Sequence, residues 1–186
     1  MSGRSPLSPV TNRRFYGVVP AIVAPFPDNE EDASKEGRVC LRFPWFDARM
    51  VTKPCRVAQL YAGNGYGSMW RPEVGDEVLV GFVQGDMRDP IVLGGLYNGK
   101  DKPFTHPDSS TDQKALVTKA GHRIVFDDKA GTVTVATRSG ASIVLDGDGK
   151  NVTITADQKI SLKAKNIELT ADGGDVTVKG SKIRLN

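Results

Sequence analysis

Little in this chain points to catalysis, metal binding or a membrane. Its 186 residues hold two cysteines, Cys40 and Cys55, with no CxxC or Cys/His spacing, so no zinc or redox motif is spelled out. The expectation is apolar filling of a core in a cytosol-made protein. Only two histidines occur, His106 and His122. His122 and nearby Asp127 lie beside no recognisable nucleophile, and no paired-carboxylate signature stands out, so neither acyl transfer nor glycoside hydrolysis is indicated. No run approaches the ~20 apolar residues of a membrane span, and the first residues lack a secretory h-region. Net charge is +3. From Asp112 onward 12 Lys/Arg face 9 Asp/Glu, while the earlier residues are balanced at 13 each. No concentrated basic patch suggests nucleic acid, and none is expected as a partner.

A further absence divides the chain. All 11 prolines lie at or before Pro107, and 12 of the 13 aromatics at or before Phe104. After Phe126 there is no aromatic, cysteine, methionine or proline. The join, rich in Asp, Lys, Ser, Thr and Pro, reads as a linker over 100–114. Ahead of it, 15–23, 37–46, 55–61, 77–82 and 91–96 are rich in β-branched, Leu and aromatic residues and are bounded by turn formers. Five short strands in such a span suit a small closed barrel of the OB type over 15–99.

Beyond the linker lies a repeat. Apolar-x-apolar units recur at Ile124/Phe126, Val133/Val135, Ile143/Leu145, Val152/Ile154, Ile160/Leu162, Ile167/Leu169, Val176/Val178 and Ile183/Leu185. The first and last begin 59 residues apart over seven steps, a mean of about 8.4. Most central residues are polar (Thr134, Thr153, Ser161, Glu168, Thr177, Arg184). Period-two alternation puts the sixteen apolar residues on one face and the polar ones on the other. A layer of strands this short cannot bury that face alone against the entropy of ordering it. A solitary solenoid would have barely three coils, near the minimum for a repeat array, and a β-sandwich usually brings aromatics. Three chains wound together, each turning about 120° after every unit, would fill a narrow prism with Ile, Val and Leu. The fold class expected is therefore all-β: an OB barrel, then an intertwined triple-stranded β-helix over 115–186 in a homotrimer, with the sixteen residues as its core.

Gly37–Trp45 (GRVCLRFPW), with its Phe43-Pro44-Trp45 end, and Pro72–Gly99 (PEVGDEVLVGFVQGDMRDPIVLGGLYNG) resemble stretches of the VgrG and phage baseplate-spike superfamily. The matching positions are Pro72, Gly75, Asp76, Glu77, Val78, Gly85, Asp86, Pro90, Gly94, Tyr97, Asn98 and Gly99. The resemblance covers roughly residues 15–99. It implies an OB neck and a trimeric needle mounted below a tail tube and driven through a target envelope by sheath contraction, a mechanical role without catalysis or cofactor. It further implies a separate hub protein contacted by residues 1–14, and a PAAR-type tip docking on Ser181, Lys182, Ile183, Arg184, Leu185 and Asn186. Synthesis in a bacterial cytoplasm and incorporation into the baseplate of a phage or phage-tail-like particle are implied by the same likeness.

Two sharper motifs have plainer readings. Asp146–Asn151 (DGDGKN) resembles part of a calcium loop but lacks the remaining oxygen ligands, and a tight turn suits it better. Tyr61, Tyr66, Trp70 and Arg71 could form a stacking surface on the barrel, the plainer reading being that these aromatics pack the barrel or the trimer neck. The stacking surface gives the alternative function: an OB module for oligonucleotides or oligosaccharides on an oligomerising stalk.

Overall fold

Valine, isoleucine and leucine alternating with smaller or polar residues favour strands, and strands account for nearly all regular structure here. The computed structural model describes residues 14–27, 36–104 and 111–184. The chain divides into two compact units, residues 1–103 and 104–186.

In the first unit β1 (Val18–Ala24) pairs with β2 (Cys40–Phe43), which turns into β3 (Asp47–Val51). Two residues of β4 (Arg56–Val57) come next, then a small hairpin of β5 (Ala62–Gly63) and β6 (Tyr66–Gly67). β7 (Glu77–Phe82) and β8 (Pro90–Gly95) form a hairpin through a short 3-10 turn, Val83–Gly85. β7 also pairs with β1, and β8 pairs in parallel with β4. The ring closes where Val39 and Cys55 exchange two backbone hydrogen bonds, at 3.1 and 2.8 Å. The closed order β1–β2–β4–β8–β7, with one parallel pair, is that of a Greek-key OB barrel.

The barrel's core results from alternation. Val19, Ala21 and Val23 of β1, Leu41 and Phe43 of β2, Val78 and Val80 of β7 and Val92 of β8 point inward, all at most 8 % exposed. Cys40 and Cys55 are buried thiols in keeping with the filling role expected. The Cys55 thiol donates to the Val39 carbonyl at 3.0 Å, and burial pushes its pKa up to about 11.

The second unit is an antiparallel meander of β9 (Gln113–Val117), β10 (Arg123–Asp127), β11 (Thr132–Ala136), β12 (Ser142–Asp146) and β13 (Asn151–Thr155). β9 begins within the stretch expected as linker. One expectation needs correcting: the first four repeat units do not each turn about 120°. Hairpins fold them back within one chain, because a turn of a few residues suffices for antiparallel partners and satisfies the ladder locally. Gly121, Gly131 and Gly140, all with positive φ, supply the backbone these turns require. Among the described residues no strand occurs after Thr155.

Candidate functional site

The meander's register sorts its side chains into rows. Leu116, Ile124, Val135, Ile143 and Ile154 are direct cross-strand neighbours, and so are Lys114, Phe126, Val133, Leu145 and Val152. Both rows share one face, because strand neighbours two apart point the same way. Thus the structure brings together eight of the sixteen residues expected in a trimer core. The face is open to solvent: Val135 is 47 % exposed and Ile154 54 %, while inward residues of the barrel approach zero. Ile160, Leu162, Ile167, Leu169, Val176, Val178 and Ile183 are exposed as well, on residues that form no strand. Leu185 lies outside the described residues. An apolar face this long, left uncovered, marks an interaction surface.

The sequence reading missed β9. Its register partner to Phe126 is Lys114, which pairs with Asp128, so the strand lacks the apolar-x-apolar signature. The short apolar run Ala115-Leu116-Val117 is the signal the sequence offers for it. Ser181 to Arg184, expected to contact a tip, are exposed, and Asn186 lies outside the described residues.

Most of the motif residues of the barrel take part in contacts or turns within it. Phe43 and Trp45 join Phe15 and Phe82 in an aromatic cluster with centroids 5.6–6.0 Å apart, and the Trp45 indole N–H donates to the Pro20 carbonyl at 3.1 Å. Pro44 sits in the turn between β2 and β3. Gly75, at φ +99°, makes the turn after half-buried Pro72, and Asp76 accepts from the Glu73 amide at 2.8 Å. The Asn98 side chain donates to Glu77 at 2.7 Å and accepts from the amides of Lys100 and Asp101, so it latches the segment after β8. Gly85 sits at φ +79°, a conformation that favours glycine, and a Cβ there would press on the Arg14 Cβ at 3.1 Å and the Phe15 nitrogen at 3.3 Å. Asp86 accepts from the Arg88 guanidinium and amide, which hold its carboxyl down at about 2. Pro90 is buried at the start of β8, and Gly94 lies beside the β7–β8 bulge. Tyr97 and Gly99 are exposed.

The turn readings of Asp146–Asn151 and of His122 fit the geometry. Asp146 accepts from the Gly149 amide at 2.8 Å within the β12–β13 turn. His122 sits in the β9–β10 turn, its amide donating to the Thr118 hydroxyl at 3.1 Å. Among the described residues no group of three or more His, Cys, Asp or Glu is placed to hold a metal ion. Tyr61 and Tyr66 lie tilted against each other at 5.3 Å and the Gln59 side chain grips the backbone of Trp70, while all three rings are exposed.

With a closed Greek-key barrel and, later in the sequence, a repeat whose apolar face is open, the class is that of an OB domain followed by a strand meander. Residues 21–97 match the family described as type VI secretion system/phage-baseplate injector OB domain. The chain is VgrG-like: it is 37 % identical over 107 residues to the type VI secretion system spike protein VgrG3 of Vibrio cholerae serotype O1, which is 52 % of this chain and 10 % of that protein. It is 34 % identical over 117 residues to the actin cross-linking toxin VgrG1 of the same species, covering 56 % and 10 %. A third match, 31 % over 146 residues to the spike protein VgrG2a of Pseudomonas aeruginosa, covers 73 % of this chain and 17 % of the relative. That share exceeds the first unit, so the likeness reaches into the meander. The chain spans a fifth or less of these relatives' length.

Proposed function

We propose that this protein is the central spike of a phage-type baseplate or related contractile injection system, working as a homotrimer that transmits force. Three meanders turn their apolar faces onto a common axis and form the upper needle. Ile160 to Ile183, which carry the same pattern and form no strand among the described residues, wind between chains below it, together with Leu185. At about 4.8 Å per strand, eight layers give a shaft on the order of 40 Å. Ladders running along the shaft would carry axial load, and polar outer faces would discourage lateral pairing. The role is mechanical, puncturing the target envelope, and no catalytic step is assigned to any residue.

The observation carrying this reading is the apolar face of the meander, exposed in a single chain and in register across four of its five strands. The injector OB family and the spike relatives support the setting. The barrel then serves as neck, with a hub protein on the side of residues 1–14 and a conical tip protein at Ser181 to Asn186. Native mass measurement tests the proposal. Three times the chain mass of 20.1 kDa is expected, and a folded monomer at 20.1 kDa would overturn it.

A further inference from the structure

The meander has two unlike ends. One holds the start of β9 and the β10–β11 and β12–β13 turns, with five aspartates (Asp112, Asp127, Asp128, Asp146, Asp148) against three lysines (Lys114, Lys129, Lys150). The opposite end holds the β9–β10 and β11–β12 turns, where Lys119, Arg123 and Arg138 face a single Asp157. The apolar rows run between these ends, across the strands.

Each end is a continuous ledge of turns. On the acidic side the Gly147 amide donates to Gly131 at 2.9 Å, the Asp128 amide donates to Asp112 at 3.0 Å, and the Asp148 carboxylate lies over Gly131, where a Cβ would come within 3.0 Å. On the basic side the aliphatic stem of Arg138 lies over Gly121, 3.5–3.8 Å from the place of a Cβ. The charges are therefore carried by ordered turns.

We propose that the acidic end of one meander docks against the basic end of the next, so that each corner of the trimer is a head-to-tail charge junction. This rests on the trimer proposed above and names what specifies it. Sheets that enclose a common apolar axis must meet at their strand ends. In a three-membered ring every contact is heterologous, one surface against a different one, so two ends of opposite sign make all three corners attractive. The occupant of each end is thus a second copy of this chain. The same charges act against alignments that would bring like ends together.

Charge reversal in the full chain tests this. Arg123→Glu with Arg138→Glu makes both ends acidic, and Asp128→Lys with Asp148→Lys makes both basic. Each double variant is expected to raise the trimer's dissociation constant about tenfold or more by sedimentation, with the largest loss at low salt. The fourfold variant exchanges the ends and is expected to restore the trimer. Mixing the two doubles should not restore it, since a ring of odd number must leave one like-charged corner. A monomeric parent protein would overturn the trimer and this inference together. A trimeric parent with unchanged double variants, or a fourfold variant no better than the doubles, would overturn the charge junction alone.

Discussion

The barrel and the meander are built alike, from short antiparallel strands joined by glycine turns, and they resolve their apolar faces differently. In the barrel the sheet curls until Val39 and Cys55 join its margins, and Val78, Val80 and Val92 lose all contact with water. In the meander five strands lie side by side without closure, and Ile143 stays 43 % exposed. The difference lies in the side chains and connections. The barrel has bulges at β2–β3 and β7–β8, a parallel crossover pair and a cluster of large aromatics, Phe15, Phe43, Trp45 and Phe82. The meander keeps strict register through four hairpins and carries one aromatic, Phe126. Bulges and crossovers curve a sheet onto itself, whereas regular register leaves it open for another sheet. One unit buries its apolar face within the chain; the other leaves that face open.

The largest test of this contrast places the same change in both units. Val80→Asp sets a carboxylate in a closed apolar core and is expected to cost about 4 kcal/mol or more, unfolding the barrel. Ile143→Asp sets one on the open face, where a lone chain tolerates it and the proposed trimer cannot. It should abolish that trimer while leaving the barrel folded. Both cysteines lie in the barrel, so thiol alkylation reads that unit alone. Val80→Asp should label rapidly, and Ile143→Asp should stay protected while its mass falls to that of one chain. Protection lost in both would mean that the barrel depends on assembly.

Much of the architecture was legible in residue order. Loss of proline and aromatics after the first half marked the division, and the apolar-x-apolar period located β10 to β13 and the open face. What escaped depends on contacts distant in sequence. The strand β3 comes after a turn at Pro44–Phe46 whose shape comes from Trp45 packing on Phe43 and reaching the Pro20 carbonyl. The β9 strand was hidden because Lys114 replaces an apolar residue in its row. The 120° winding failed for the first four units because a period near eight suits a hairpin as well as a corner, and spacing alone does not choose between them.

A smaller effect is expected at the barrel's aromatic rim. Trp45 is 46 % exposed yet packs on Phe15, Phe43 and Phe46 and donates its indole hydrogen bond. Trp45→Ala should cost about 1–3 kcal/mol, below the 3–5 kcal/mol of a fully buried aromatic, read as a lower urea midpoint for thiol protection. The trimer should persist. A variant that dissociates with its barrel intact would show that the rim also lies in a subunit contact, and the contrast between a closed and an open unit would then weaken.

The smallest effect lies at Asp86, whose carboxyl sits at about 2 because the Arg88 side chain and amide donate to it. A carboxyl in an unfolded chain titrates near about 3.9. Its contribution to stability is therefore complete above that value and fades as pH falls towards about 2. Asp86→Asn keeps an acceptor for the Arg88 amide and removes the charge. The parent protein and the variant should differ slightly in barrel stability at neutral pH and converge as the pH approaches 2, measured as the Tm of the barrel transition. Because Asp86 and Arg88 belong wholly to the turn ahead of β8, this pH dependence should be the same in the trimer and in the Ile143→Asp monomer. A dependence that vanished on dissociation would place the β7–β8 turn at a contact between chains.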